Sequence, residues 1–222
     1  MEASFQSDGF EIHQGLLAAD LVSQFRKEAD WVAKTAQSVC VRHLRSRSQL
    51  FDELATSSLI GRLLPEGMQP VRSILFDKTA DNNWPVPWHQ DLTIAVANQV
   101  AVEGYGPWSL KDGSPHVQPP TALLSRMLTV RLHLDETSFS NGALQVIPRS
   151  HHLGKLSSEQ VREESKADSI TCECQSGDAL IMSPLILHSS QRSQFPQRRR
   201  VLHFEFAYLE DLDSKLNWFE AV

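Results

Sequence analysis

Cysteine is scarce in this sequence: Cys40, Cys172 and Cys174 are the only ones among 222 residues. They are too few and too awkwardly spaced for the disulfide framework of a small secreted domain. Cys172 and Cys174 fall on one face of a short strand pattern, which is typical of buried thiols rather than of metal ligands. The cysteine content therefore predicts a protein of a reducing compartment.

Long apolar runs and an excess of positive charge are also missing. No stretch is apolar for long enough to span a bilayer, and the residues after Met1 lack the basic and apolar regions of a secretory signal. With 21 basic and 27 acidic residues, the formal net charge is -6, so the chain as a whole does not attract nucleic acid or an anionic membrane. We therefore expect a soluble, cytoplasmic protein with no nucleic-acid or membrane partner. The oligomeric state is left open.

Internal repeats, low-complexity tracts and a regular alternation of strands with helices are absent, and the last absence argues against a doubly wound fold. Apolar residues at helical spacing occupy 16–34 and 48–64. Strand patterns cover 10–13, 71–76, 127–135, 143–148, 169–174, 179–188 and 198–208. This order predicts a mainly β fold with N-terminal helices, in a single domain over 1–222. A double-layered β-barrel such as a jelly roll fits it best.

The stretch 95–120 is rich in glycine and proline and has no clear pattern of its own. A loop this long inside a compact domain is usually functional or disordered, and its aromatic residues favour a folded lid over an active site. Trp108 and Tyr105 are candidates for substrate contact, as are Lys111 and His116. For Trp108, simple packing of the lid is the alternative.

His89 and Asp91 carry the clearest chemical pattern. In an extended segment, residues two positions apart project from the same face, so this imidazole and this carboxylate can converge on one metal ion. A third ligand has to come from a distant part of the chain, and His188 is the best-placed candidate. Two histidines and one carboxylate on one face of an ion, with the other positions open, are associated with non-haem Fe(II) oxygenases.

The same spacing occurs a second time, at His133 and Asp135. The first pair follows a proline-rich loop and precedes the predicted lid, whereas the second lies against the Asn141-Gly142 turn. This context favours His89 and Asp91 as the metal pair. Structural hydrogen bonding is the alternative.

Longer motifs surround these residues. In chain order they are Trp88-His89-Gln90-Asp91, Asn141-Gly142-Ala143-Leu144, Val146-Ile147-Pro148-Arg149-Ser150-His151, Gly177-Asp178-Ala179-Leu180 and His188-Ser189-Ser190. Together with Asp8-Gly9-Phe10, they resemble the phytanoyl-CoA dioxygenase family over most of the chain. One departure is Arg149, which stands where the family commonly has glycine, and it concerns the geometry of that turn rather than the ligands.

The resemblance implies a double-stranded β-helix, a cupin-like jelly roll, that uses Fe(II), 2-oxoglutarate and O2. It also implies that His89, Asp91 and His188 are the iron ligands. Because related halogenases lack the carboxylate, Asp91 favours hydroxylation. The expected reaction is hydroxylation of an unactivated C–H bond in a small-molecule substrate, with release of succinate and CO2.

A 2-oxoglutarate enzyme needs a cation for the far carboxylate, and arginine can bind a carboxylate bidentately. Arg198, Arg199 and Arg200 compete for this role, and the family's spacing after the distal histidine selects Arg199. Alternation along the strand places Arg199 on a polar face, whereas Arg198 and Arg200 share an apolar face. The polar face can line the site only if helices cover the apolar one.

By the same logic, Arg131 and His133 lie on the inner face of their strand, where they can reach 2-oxoglutarate or an acidic substrate. Purely structural roles are the alternative for both. Gln90 matches a glutamine of the family that can reach the co-substrate. The leading hypothesis is therefore a 2-oxoglutarate-dependent dioxygenase. A non-catalytic cupin-like binding module is the alternative, and a nucleic-acid demethylase fits the acidic net charge less well.

Overall fold

The computed structural model describes residues 3–194 and 197–220. Its helices are α1 (Ala3–Asp8), α2 (Ala19–Ala36), α3 (Leu44–Arg47), α4 (Gln49–Ala55), α5 (Ser58–Gly61), α6 (Thr121–Leu124) and α7 (Ser158–Glu164). Its strands are β1 (Phe10–His13), β2 (Cys40–Arg42), β3 (Gln69–Lys78), β4 (Val86–His89), β5 (Ile94–Ala95), β6 (Trp108–Lys111), β7 (Ser114–Val117), β8 (Leu128–His133), β9 (Leu144–Ile147), β10 (Ile170–Cys172), β11 (Ala179–Met182), β12 (Leu187–Ser190) and β13 (Arg199–Ala207). No helix in this part of the chain is both long and apolar enough to cross a membrane.

The strands pair in antiparallel sheets. A six-stranded sheet has the order β1-β11-β8-β13-β3-β2, a four-stranded sheet the order β10-β9-β12-β4, and a three-stranded sheet the order β5-β7-β6. Helices α1 to α5 all precede the long strand β3. The predicted fold class, mainly β with N-terminal helices, is confirmed.

Strand β13 has two buried faces of opposite character. Leu202 and Phe204 lie in the main hydrophobic core, together with apolar residues of helices α2 and α4. Arg199 and His203, on the other face, line an internal cavity. The helices thus cover the apolar face of β13. The polar face is therefore free to line the site, as the sequence predicts.

The prediction of a single helix over 48–64 is wrong, because the chain forms two separate helices there, α4 and α5. The Ser48 side chain caps α4 by accepting a hydrogen bond from the Phe51 backbone N–H. The Ser57 side chain caps α5 in the same way, by accepting from the Ile60 backbone N–H. A serine side chain that bonds a backbone N–H favours a helix start over a helix interior. Ser57 therefore divides an apolar pattern that looks continuous.

The stretch 95–120 contains regular structure that its composition hides. Strands β6 and β7 form a hairpin whose turn is Asp112-Gly113, with φ values of 48° and 80°. An aspartate followed by glycine is a preferred pair for such a turn, because both residues need positive φ. The hairpin continues through β7 to β5, directly after the predicted metal-binding segment.

Candidate active site

A cavity of about 180 Å³ is lined by strands of both larger sheets. Strands β3, β8 and β13 contribute from the six-stranded sheet, and β4, β9 and β12 from the four-stranded sheet. The predicted metal ligands His89, Asp91 and His188 all line it. Residues that are distant in sequence therefore meet because the two sheets face each other.

Strand pairing brings the two histidines together. His89 ends β4 and is the register partner of His188 on β12, so their imidazole centroids are 4.2 Å apart. Asp91 follows β4 and is fixed by its backbone N–H, which donates to the Pro184 carbonyl at 2.9 Å. One ligand atom from each of the three side chains lies within 4.8 Å of the others. This spacing suits simultaneous binding of one ion.

Hydrogen bonds select the tautomer of both imidazoles. His89 Nδ1 lies 2.8 Å from the Pro87 carbonyl, and His188 Nδ1 lies 2.9 Å from the Ile186 carbonyl. Because a carbonyl can only accept, each Nδ1 carries the hydrogen and each Nε2 keeps its lone pair. Both Nε2 atoms face Asp91, at 3.8 Å and 3.6 Å from its carboxylate oxygens.

The charge states also fit a metal site. Burial lowers the pKa of His188 to about 4, so this imidazole is neutral at pH 7. Burial raises the pKa of the Asp91 carboxyl, but in the acidic range where this carboxyl titrates the neighbouring histidines are protonated, and their charges together with Arg72 outweigh burial and lower its pKa below the usual range. A neutral imidazole and an ionised carboxylate are the forms that bind metal. The donor set of two nitrogens and one oxygen therefore fits Fe(II).

A second cluster nearby, formed by Asp91, His203 and Glu205, is less suited to a metal. Arg131 Nη1 donates to His203 Nδ1 at 2.9 Å, so His203 Nε2 carries hydrogen and donates to Glu205 at 3.2 Å. Glu205 is also paired with Arg72 at 2.9 Å. In this network His203 has no free lone pair and the charge of Glu205 is already neutralised.

The second His-x-Asp pair is divided by the fold. His133 lines the cavity, but the carboxylate of Asp135 binds Arg200 bidentately, at 2.8 and 2.9 Å, and also pairs with Arg26. Asp135 therefore serves to join elements outside the cavity. Among the described residues, a third candidate ligand lies beside His89 and Asp91, and none lies beside the second pair.

The three adjacent arginines differ in their partners. Arg198 forms a bidentate pair with Asp77, and Arg200 pairs with Asp135. Arg199 is buried in the cavity wall, where it donates to the Gly142 carbonyl and to Ser190 Oγ. Within 3–194 and 197–220, no carboxylate pairs with Arg199. Its charge is thus available to an anionic ligand.

Arg131 and His133 both line the cavity, as the alternation along β8 predicts. Arg131 donates to His203, and burial lowers its pKa. His133 bonds Thr137 Oγ1 at 3.1 Å, and burial, together with nearby arginines, lowers its pKa to about 3. His133 is therefore neutral at pH 7, whereas Arg131 adds positive charge to the cavity.

Gln90 points away from the cavity. Its amide nitrogen donates to the Gly154 and Leu185 carbonyls at 2.8 and 2.7 Å, and its amide oxygen accepts from the Leu156 backbone N–H at 2.9 Å. The side chain thus ties three segments together. The predicted contact with a co-substrate would require it to give up these bonds.

The predicted substrate contacts on 95–120 do not line the cavity. Trp108 and Tyr105 pack against a separate hydrophobic cluster, and Tyr105 Oη accepts from the Asp213 backbone N–H at 3.3 Å. Lys111 donates to Thr93 Oγ1 at 3.1 Å, and His116 is fully buried. Any substrate contact from this segment would have to be made outside the cavity.

Lys78 is a cavity-lining residue that the sequence motifs did not identify. It lies two positions beyond the predicted strand 71–76, because β3 extends to Lys78. The signal was the alternation of Phe76 and Lys78, both of which face the cavity. Extending the strand by one period would have placed this lysine inside.

Comparison with known proteins identifies the family. The model of the phytanoyl-CoA dioxygenase (PhyH) family matches residues 5–201. The chain belongs to this family. As a PhyH protein it is an enzyme of the Fe(II)/2-oxoglutarate-dependent oxygenase superfamily, and its cofactors are Fe(II), 2-oxoglutarate and O2.

Solved structures share the fold of this PhyH protein at low sequence identity. EctD from S. alaskensis, in its apoform, has a TM-score of 0.73 at 19% identity, covering 99% of this chain and 80% of that chain. The epimerase SnoN, in complex with Fe3+, alpha ketoglutarate and nogalamycin RO, has a TM-score of 0.71 at 18% identity, with coverage of 93% and 82%. HygX from Streptomyces hygroscopicus, with nickel and 2-oxoglutarate bound, has a TM-score of 0.62 at 15% identity, with coverage of 91% and 83%. No curated protein matches the chain significantly by sequence.

Proposed function

We propose that this PhyH protein is a hydroxylase that oxidises an unactivated C–H bond of a small organic molecule and releases succinate and CO2. The observation that carries the proposal is the convergence of His89, Asp91 and His188 within 4.8 Å. When bound there, Fe(II) with 2-oxoglutarate and O2 supplies the oxidising chemistry, while the protein orients the reactants and excludes water. His89, Asp91 and His188 would hold the ion, and the protein around them would orient the reactants.

The carboxylate of Asp91 supports hydroxylation rather than halogenation. In related halogenases the absence of this carboxylate leaves room for chloride at the metal. Here one Asp91 oxygen lies 3.8 Å from His89 Nε2 and the other lies 3.6 Å from His188 Nε2, so a metal held by both histidines would also take this carboxylate as a ligand. We expect Asp91→Gly, assayed with chloride present, to lose hydroxylation and to open the site to the halide.

Arg199 has the role of binding the far carboxylate of 2-oxoglutarate. Its guanidinium is buried and has no carboxylate partner in the described residues. The cavity of about 180 Å³ is smaller than the pockets of roughly 300–1,000 Å³ that enclose drug-sized ligands. It suits a small dicarboxylate, so the primary substrate binds outside it, on the side where the His89 side chain is 37% exposed.

The order of the strands supports a double-stranded β-helix in one domain. Along the chain, β3, β8, β11 and β13 belong to the six-stranded sheet, and β4, β9, β10 and β12 belong to the four-stranded sheet. The chain thus passes repeatedly from one sheet to the other, as in a jelly roll. We expect 95–120 to act as a lid on the substrate side of this site, since its hairpin pairs with β5, which begins at Ile94 shortly after Asp91.

Succinate release tests the proposed reaction. The protein is loaded with Fe(II) without oxygen, 2-oxoglutarate binding is measured by calorimetry, and oxygen is then admitted with fractionated metabolite extracts. We expect 2-oxoglutarate to bind only to the metal-loaded protein and succinate to rise with particular fractions. Metal-loaded protein that does not bind 2-oxoglutarate would contradict the proposal. Bound metal without succinate across a broad panel would favour a non-catalytic binding module.

A further inference from the structure

Lys78 is a second buried cation beside Arg199. It ends strand β3, where it is the register partner of Arg199 on β13, and both side chains line the cavity. Lys78 Nζ donates to the Trp84 carbonyl at 2.7 Å and to Ser190 Oγ at 3.3 Å. No carboxylate in 3–194 or 197–220 pairs with it. The ammonium thus has only neutral partners.

Ser190 connects the two cations. Its Oγ accepts from Lys78 Nζ at 3.3 Å and from Arg199 Nη2 at 3.2 Å. Two like charges held this close in a buried wall repel each other, and an anion between them removes the repulsion. The arrangement therefore resembles a receptor for one carboxylate group, with a cation for each oxygen.

Other ionisable groups of the cavity do not neutralise Lys78. They are His89, Asp91, Arg131, His133, His188, Arg199 and His203. Asp91 is the only acid among these lining residues, and it belongs to the candidate metal triad. Burial, with the charges of Arg199 and Arg131, lowers the pKa of Lys78 to about 7. Lys78 can therefore gain a proton when an anion binds in the cavity.

We propose that Lys78 binds the far carboxylate of 2-oxoglutarate together with Arg199, so that this subsite is built from two cations on neighbouring strands. The inference rests on the proposed function, since it assumes that 2-oxoglutarate occupies the cavity. It adds a residue from β3 to the co-substrate site. Lys78 thereby distinguishes a 2-oxo acid with a second carboxylate from one without.

The test compares two ligands on three variants. Calorimetry on the Mn(II)-loaded protein measures the Kd of 2-oxoglutarate and of 2-oxopentanoate, which has the same chain length but lacks the far carboxylate. Lys78→Met should weaken 2-oxoglutarate binding roughly tenfold, the usual effect of a lost charge-assisted hydrogen bond, and leave 2-oxopentanoate binding unchanged. Lys78→Arg should restore most of the affinity. The exposed Lys166→Met is the matched control and should behave like the wild type.

Proton uptake gives a readout that a structural role would not change. Since the dianion raises the pKa of Lys78 from about 7, wild-type 2-oxoglutarate binding should weaken between pH 7 and 8.5 and take up a proton there. Lys78→Met and Lys78→Arg should both lose this uptake, as measured in buffers of different ionisation enthalpy. The inference would be overturned if Lys78→Met lost affinity equally for both ligands. It would also be overturned if Lys78→Met bound 2-oxoglutarate as tightly as the wild type does. If the wild type bound 2-oxopentanoate but not 2-oxoglutarate, the proposed function itself would fail.

Discussion

Arg199 and Arg198 are neighbours in sequence but face different surroundings, which allows a matched pair of variants. Arg199 lies in the cavity without a carboxylate partner, whereas Arg198 binds Asp77 outside it. Arg199→Gln should weaken 2-oxoglutarate binding roughly 10- to 100-fold, because it removes a charged bidentate donor. Arg198→Gln should leave the Kd unchanged.

Calorimetry on metal-loaded protein checks both variants, with the melting temperature as a control for folding. Equal loss of affinity in the two variants would mean that the arginine cluster acts only through its total charge. If only Arg198→Gln lost affinity for 2-oxoglutarate, Arg198 rather than Arg199 would bind the far carboxylate.

The amide of Gln90 bonds three backbone groups and should therefore contribute to stability rather than to co-substrate binding. Gln90→Met leaves these buried groups unsatisfied and should lower the free energy of unfolding by about 1–3 kcal/mol. The exposed Gln191→Met serves as the matched control. Urea unfolding measures the change. If stability were unaffected and 2-oxoglutarate binding were weakened instead, Gln90 would contact the co-substrate after all.

Among single residues, the candidate metal triad could be predicted from the sequence only through order and spacing. The His-x-Asp pattern occurs twice, and nothing in the pattern alone shows that Asp135 pairs with Arg200. That pairing depends on β13 lying beside β8, a contact between distant segments. Lys78 was missed for a different reason, because the predicted strand 71–76 ends one period before it.

The turn after strand β9 places a non-glycine residue, Arg149, in a conformation that usually requires glycine. It has a φ of 69°, in the left-handed region that glycine adopts freely, and its backbone N–H donates to the Asp8 carbonyl at 3.0 Å. The family's preference for glycine at this position thus reflects a conformation that the chain keeps even with arginine. Arginine in place of the family's glycine therefore changes the side chain at this position and leaves the turn conformation as it is.

Arg149→Gly should stabilise the protein by up to about 1 kcal/mol, since it removes the cost of a side chain in the left-handed region. Arg149→Ala retains that cost and should change stability by less than about 0.5 kcal/mol, because the lost ion pair with Asp8 is largely exposed. Thermal and urea unfolding measure both variants. A destabilised glycine variant would show that the Arg149 side chain contributes more than its backbone costs.

Asp135 links strand β13 to the helical layer. Its carboxylate binds Arg200, which also pairs with Asp30 of helix α2 at 2.8 Å. Burial raises the pKa of Asp135, but hydrogen bonds from Arg200 outweigh burial and lower it overall. A carboxyl whose pKa is lower in the folded state stabilises the fold above its unfolded pKa of about 3.9, and this contribution is lost as the pH falls further.

Asp135→Asn should therefore reduce stability at pH 7 and flatten its decline below about pH 4. The free energy of urea unfolding, measured from pH 3 to pH 7, checks this expectation. Asp168→Asn, on an exposed residue, is the control and should leave the profile unchanged. An acid profile of Asp135→Asn parallel to that of the wild type would contradict the assigned ion pair.

Element boundaries were harder to predict than element types. The alternation over 127–135 and 198–208 matched β8 and β13, because both strands have one polar and one apolar face. The break at Ser57 was missed because capping competes with apolar spacing. The hairpin in 95–120 was missed because glycine and proline obscure two short strands, although Asp112-Gly113 marks its turn.

At the scale of the whole molecule, the positive charge of the cavity contrasts with the acidic chain. The formal net charge is -6, yet the cavity is lined by Lys78, Arg131 and Arg199, with Asp91 as the sole lining acid. Composition could not show this, since the net charge is a sum over the whole chain and carries no information on position. Composition did indicate the state of the cysteines: Cys172 and Cys174 are buried and free.

The proposed site requires one metal ion and one 2-oxoglutarate to occupy the space between the two larger sheets. A crystal structure of the protein with Mn(II) and 2-oxoglutarate, with the metal located by its anomalous scattering, shows whether they do. We expect a metal bound by His89 Nε2, His188 Nε2 and Asp91, with the far carboxylate of 2-oxoglutarate on Arg199. A metal bound instead by His203 and Glu205, or a co-substrate that does not reach Arg199, would contradict the proposed site.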